Sequence, residues 1–212
     1  MPDLVLICFA LPEEARPFRK LTAGRPDLQV LVTGIGRRQA ETSARTVLAE
    51  QRPALVITSG FAGGLDPTLA RGVVVFEADA AFPFADLLEA AGARQVRFHC
   101  ADRIVVTAAE KRRLREKTGA DAVEMESAAI HAVCREANLP CATVRVISDV
   151  ADEDLPLDFN RFTRADQSLD LGKLALEVVR RPGLVARLLR LRRTTREAAT
   201  RLAAVLAAVT AA

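Results

Sequence analysis

Five short segments of this chain hold residues whose types and spacing could do chemistry. Glu13-Glu14 follow the apolar run Leu4 to Leu11. Carboxylates there suit the positive end of a helix dipole, and they could equally serve as acid or base. Thr33-Gly34-Ile35-Gly36 closes a second apolar run, where backbone N–H groups could hold an anion or a polarised water. Ser59-Gly60-Phe61-Ala62-Gly63-Gly64-Leu65 has three glycines in five residues, so backbone can approach a ligand closely. In Val123-Glu124-Met125-Glu126-Ser127, two carboxylates flank Met125 in an otherwise apolar stretch, and such a carboxylate can accept hydrogen bonds from sugar hydroxyls. Arg145-Val146-Ile147-Ser148-Asp149 places a charge among alternating apolar residues, where it needs a partner. Asp149 then stands where acid/base work is well placed.

Those segments need a scaffold, and the hydrophobic pattern supplies one. Strands are predicted at Val5–Phe9, Gln29–Thr33, Leu55–Thr58, Val73–Phe76, Ile104–Thr107 and Ala142–Ile147. Gly60 to Gly64 reads as a turn. Helices are predicted at Arg37–Gln51, near Leu87–Ala91, at Ala108–Thr118 and from about Met125 to Asn138. Residues 151–167 read as polar loop, and helices fill the rest with a break at Pro182-Gly183. Strands alternating with crossover helices indicate an α/β sheet, at least partly parallel and covered on both faces. Ligands bind outside the carboxyl ends of strands in such sheets, which is where the glycines and several acidic groups fall.

Composition narrows the class. Half of the 212 residues are hydrophobic and about a quarter are charged, as expected of a folded soluble domain. Trp and Tyr are absent, which counts against base-stacking proteins that grip single-stranded nucleic acid. Four cysteines without a CxxC pair, and only two histidines, argue against structural zinc and a disulfide framework and for reduced thiols in the cytoplasm. The net charge of +3 is uneven. Residues 180–212 hold eight Arg and one Glu, or +7, leaving −4 for the rest. We read 1–179 as the main domain and 180–212 as a basic helical extension packed on it. No segment is long enough to span a membrane.

Taken together, the order and spacing of the five segments resemble the nucleoside phosphorylase/nucleosidase family, and within it the methylthioadenosine/S-adenosylhomocysteine nucleosidases. Softer patterns resemble the hopanoid-associated phosphorylases: Lys111 to Glu126, Leu155-Pro156, Arg180-Arg181-Pro182-Gly183 and the basic C-terminus. The resemblance implies a three-layer fold around a mixed, mostly parallel sheet, a homodimer, no cofactor and no metal. It implies acid-assisted cleavage of the N-glycosidic bond of an adenine nucleoside carrying a 5′ substituent, such as a lipid nucleoside of the adenosylhopane type. Asp149 would protonate purine N7 with Ser148 orienting it, and Glu14 would act as general base. Glu126 would bind ribose hydroxyls and Met125 would pack on the sugar, with Glu124, Ser59 and Gly60 beside the substrate. Ile104, Val105 and Phe159 would line the base pocket. Gly34, Gly36, Arg37 and Arg145 would surround the nucleophile.

Water and phosphate both remain open as that nucleophile. Phosphorylases of this family carry an Arg where this chain has Thr58, which favours water. Arg37 and Arg38 at a helix start could serve phosphate instead. Pro12 replaces an acidic residue of the family, and Ile104 replaces the nucleosidases' base-stacking aromatic. Residues 77–101 form a shorter middle region, which suits a bulky 5′ substituent. The tail sets Leu184, Val185, Leu188, Leu189 and Leu191 among arginines, a pattern of helices on anionic membranes and equally of a terminal helix packed on its own body. Two other classes compete: a nucleoside-binding module without turnover, and a flavodoxin-like or nucleotide-binding domain inferred from Gly34-Ile35-Gly36. Gln39 stands where a dinucleotide fingerprint needs its third glycine, which weakens the latter.

Overall fold

The computed structural model describes residues 4–162, 170–181 and 183–211. Residues 163–167 of the expected loop and Pro182 of the expected helix break lie outside that set. Strand β1 (Val5–Phe9) is fully buried and pairs in parallel with β2 (Leu28–Val32) and β3 (Leu55–Gly64). Next to β3 lies the last strand, β8 (Cys141–Asp149), also parallel and buried along its whole length. Beyond it run β4 (Val74–Ala78), antiparallel, and β5 (Arg94–Gln95). The far end of β3 pairs antiparallel with β7 (Ala122–Glu124), which pairs with β6 (Phe98–Cys100). The eight strands form one mixed, mostly parallel sheet, as the resemblance implies.

Helices close both faces. On one, α1 (Pro12–Leu21) and α7 (Gly183–Val209) pack on each other and on the sheet. The core there joins Ile7, Phe9, Phe18, Ile57, Phe76 and Val144 to Leu202 and Leu206 of α7. On the other, α2 (Arg37–Glu50) and α5 (Ser127–Glu136) cover Leu6, Cys8, Val56 and Cys141. Short α3 (Ala85–Ala90), α4 (Ala108–Thr118) and α6 (Leu171–Arg180) complete the set.

Two expected elements differ. Gly60 to Gly64 continues β3 instead of turning. Gly60, Phe61 and Ala62 pair with Arg145, Val146 and Ile147, and a bulge after Ala62 lets Gly63 and Gly64 turn toward β7. Glycine suits such a bulge because no side chain resists the twist. Ile104 to Thr107 is irregular, not a strand, because side chains take its backbone groups. Asn160 holds both the N–H and C=O of Ile104 at 2.9 Å, and Glu110 accepts from Val106 and Thr107.

The extension beyond residue 179 is divided. The second half of α7 buries Ala198, Ala199, Leu202, Ala203, Leu206 and Val209. Its first half exposes Val185 and Leu189 beside Arg187, Arg190, Arg192 and Arg193. Leu202→Ala should therefore cost about 2–5 kcal/mol of unfolding free energy, whereas Val185→Ala should cost under about 0.5 kcal/mol, as urea titration would measure.

Candidate functional site

The site forms where β1, β3 and β8 end. Leu11 caps α1, and its N–H donates to Glu14 Oε2 at 2.9 Å, so the helix start itself aims Glu14. Glu14 Oε1 accepts from Phe61 N–H at 2.9 Å, across to β3. Glu14 is only 4% exposed, while its neighbour Glu13 is exposed. Gly60 makes this approach possible. A Cβ there would stand 2.8 Å from Glu14 Oε1 and 2.9 Å from Arg145 Nη1, at a φ of +138°.

Arg145 is the buried charge the sequence singled out, and its partners are both carboxylates of β7 and the turn after it. Its Nη2 donates to Glu124 Oε2 at 2.7 Å, to Glu126 Oε2 at 3.2 Å and to Thr58 Oγ1 at 3.3 Å. Glu124 is fully engaged by the protein. Its Oε2 also accepts from the N–H groups of Glu126 and Ser127, and its Oε1 from Ser127 Oγ at 2.6 Å. Glu126 Oε1 accepts from Gly36 N–H at 2.8 Å, where the backbone holds a φ of +86° to open α2.

The three carboxylates differ in electrostatics. Burial pushes Glu14 up to about 7, opposed by the charge of Arg145 and the two backbone bonds. Burial also raises Glu126, with Arg145 opposing and the charge of Glu124 adding. For Glu124, burial is outweighed by Arg145 and by the bonds from Ser127 and Glu126, so it lies below the ordinary carboxylate range. One cluster thus holds a carboxylate kept in its charged form, one pushed up to about 7 and one raised above its ordinary value.

Asp149 ends β8 beside Gly63, whose Cβ, if present, would lie 3.2 Å from Asp149 Oδ2. Gly63 lies three steps along the strand from Gly60, about 10 Å. Ser148 Oγ donates to Asp149 Oδ1 at 2.6 Å. Lys111 Nζ stands 2.6 Å from Asp149 Oδ2. The apolar surroundings that the strand pattern suggests for this carboxyl therefore contain a buried ammonium.

The remaining sequence candidates fall as follows. Met125, Ile104, Val105 and Phe159 are half-buried. Phe159 packs against the cluster of Leu157, Phe162 and Leu184, and its neighbour Asn160 fixes Ile104. Ser59 is buried and donates to Val144 C=O, bracing β3 against β8. Gly34 has a φ of +86° and the side chain of Gln39 folds over it. Arg37 points away from Gly36, donating to Cys100 C=O at 3.2 Å and lying 3.5 Å from Asp102. Arg38 is exposed. Sequence reasoning missed Lys111 and Asn160. Lys111 sits in a run of charged helix residues, where only its spacing from Leu114 marks an inward face.

Residues 77–180, just under half of the chain, match the sequence profile of the phosphorylase superfamily. The whole chain is similar to futalosine hydrolase of Helicobacter pylori strain 26695, with a TM-score of 0.72 and 18% identity over 100% of this chain and 98% of that one. The chain has the nucleoside phosphorylase/nucleosidase fold. The same fold appears in the 5′-methylthioadenosine/S-adenosylhomocysteine nucleosidases of Campylobacter jejuni and Neisseria meningitidis. Their TM-scores are 0.71 and 0.70, with 17% and 20% identity over 98% of each chain. The Neisseria structure is a complex with methylthio-immucillin-A. The family resemblance read from the sequence is borne out, and the profile match with these neighbours supports a nucleosidase or phosphorylase enzyme.

The sequence resemblance implies that Glu14 is a general base, and a base must be unprotonated to work. Turnover per free enzyme should therefore rise with pH through a midpoint of about 7. Glu14→Gln should lower kcat/KM by at least about a hundredfold and abolish that limb, as a pH–rate series checks. The folded protein holds the Glu14 proton more tightly than the unfolded chain, whose ordinary value is 4.5. The same group thus makes stability fall as pH rises from about 4.5 to 7.

Proposed function

We propose that this protein cleaves the N-glycosidic bond of a purine nucleoside, with water as nucleophile. The observation that carries this reading is that Glu14 accepts from β3 beside Gly60, Glu126 holds the Arg145 that stands against Gly60, and Asp149 lies against Gly63. Asp149 delivers a proton to purine N7, so the base departs neutral, and Ser148 holds the carboxyl in place. Glu14 removes a proton from the attacking water. Each of its oxygens accepts one backbone bond, which leaves lone pairs for that water. Glu126 accepts from ribose hydroxyls, and Met125 covers the sugar. Fixing sugar, base and water in one geometry supplies the orientational part of the rate.

Three features support water over phosphate. Thr58 is buried and within reach of Arg145, so no free cation occupies that position. The Gly36 N–H at the start of α2 is taken by a carboxylate, which would repel an anion. Arg37 is held at Cys100 and Asp102.

For the substrate we propose an adenine nucleoside with a large apolar 5′ group. Leu176, Val179, Val185 and Leu189 are exposed on α6 and α7 among arginines, a surface that suits an anionic membrane carrying such a lipid. No helix among the described residues is long and apolar enough to cross a membrane, so the contact would be peripheral. The resemblance adds a homodimer to this reading.

Asp149→Asn should lower kcat at least about a hundredfold with the fold retained, as adenine release by chromatography and circular dichroism would show. The unaltered protein should release adenine and free ribose product in phosphate-free buffer. A strict phosphate requirement, with ribose 1-phosphate formed, would reverse the choice of nucleophile.

A further inference from the structure

Lys111 has no part in the chemistry above, yet it is among the largest fully buried side chains. Its helix explains how it comes to be there. A capping box between Thr107 and Glu110 starts α4, Asp154 accepts from Ala108 N–H at 2.7 Å, and Gly119 in the left-handed conformation ends it. That registers Lys111 inward on the face shared with Leu114, which packs on Leu65, Ala101, Ala120 and Val123. The side chain is fully buried, and its ammonium reaches the chain just past the end of β8.

There the three N–H bonds of Lys111 find three oxygens. They are Asp149 Oδ2 at 2.6 Å, Val150 C=O at 2.7 Å and Glu153 C=O at 2.9 Å. An ammonium has three donors and no more, so this set saturates it. All three acceptors lie in the five residues 149–153, which makes the side chain a clamp on the segment that carries the acid. With Ser148 on Oδ1 and Lys111 on Oδ2, rotation of the Asp149 carboxyl breaks a charge-assisted bond.

We propose that Lys111 is a positioning residue for glycosidic cleavage, acting through Asp149. It fixes the direction in which the carboxyl presents its proton, and it meets the carboxylate left when the base takes that proton. The transfer balances without any change at Lys111. The O–H bond of Asp149 breaks, an N–H bond forms at purine N7, the bond from the base to C1′ breaks, and the ammonium keeps its three protons. This inference rests on the reading of Asp149 given under Proposed function.

The test compares two leaving groups. Purine needs a proton to depart, whereas nitrophenolate, from a 4-nitrophenyl riboside, does not. Lys111→Met should lower kcat for the purine nucleoside about 30-fold or more, with KM within about threefold, and change aryl riboside turnover less than about threefold. Because Lys111 acts through Asp149, the double variant Lys111→Met/Asp149→Asn should be no slower than Asp149→Asn alone. Should Lys111→Met fail to fold, Lys111→Gln keeps a donor for the carbonyls without the charge and carries the same comparison. Equal losses on both substrates, or losses that multiply in the double variant, overturn the role of Lys111 and leave Asp149 as acid. Absence of turnover by the unaltered protein on every nucleoside offered overturns the functional reading itself, and the role of Lys111 with it.

Discussion

The structure is organised around one buried cation. Arg145 sits in the middle of the innermost strand pair, 1% exposed, where an unpaired guanidinium would be prohibitively costly. Its charge persists because Glu124, Glu126 and Glu14 together outweigh the effect of burial. Two of those carboxylates lie on one stretch, at the end of β7 and in the turn before α5, and the third lies at the start of α1. One side chain therefore ties the β7 turn to the sheet by hydrogen bonds and reaches α1 through its charge. It also sets the differences among the three carboxylates, since each sees Arg145 at a different distance and with a different number of competing donors. Removing the guanidinium would leave three acids in an apolar interior without a counterion.

Much of this was legible in the sequence. Arg145, alternating with Val144 and Val146 in an apolar run, announces a buried charge by pattern alone, but its partners Glu124 and Glu126 read as substrate contacts, because nothing local says which carboxylates a distant strand will meet. The long apolar runs fixed β1, β8 and most helices to within a residue or two, since burial on both faces leaves little freedom in composition. The glycine-rich segment was harder. Glycines signal a turn when read locally, yet β3 runs straight through them because pairing with β8 satisfies the backbone and because Glu14 and Arg145 need the space. Likewise Ile104 to Thr107 has strand-like residues, but Asn160 and Glu110, distant or polar residues with no pattern of their own, claim its backbone. The inward turn of Lys111 was invisible for a related reason: six of the seven residues from Glu110 to Glu116 are charged, which leaves no clear sidedness.

The C-terminal helix shows how one element can serve two purposes along its length. Beyond about residue 197 its alanines and leucines complete the core with α1 and the sheet. Before that point Val185 and Leu189 meet solvent among arginines, while Leu184 and Leu188 join a small cluster with Leu157 and Phe162. A cut at residue 180 would therefore remove part of the core as well as the basic surface, so effects on folding and on surface attraction are separable only by substitutions in the first half.

The glycine-bearing end of β3 has a further consequence. Because Gly60, Gly63 and Gly64 carry no side chains, the floor of the site is bare peptide backbone, shaped by strand pairing on both sides. A Cβ at Gly60 would collide with Glu14 and Arg145 and one at Gly63 would press on Asp149, while the backbone itself is fixed by the sheet. Variation in what the protein accepts is thereby pushed outward, onto the irregular segment around Ile104 and the loop that carries Phe159 and Asn160. Those two pieces hold each other through the Asn160 carboxamide, the Leu155 N–H to Val106 C=O bond and the Ala108 N–H to Asp154 bond. The architecture sets a floor fixed by strand pairing beneath a rim held by side chains, so the rim can be reshaped while the floor stays put.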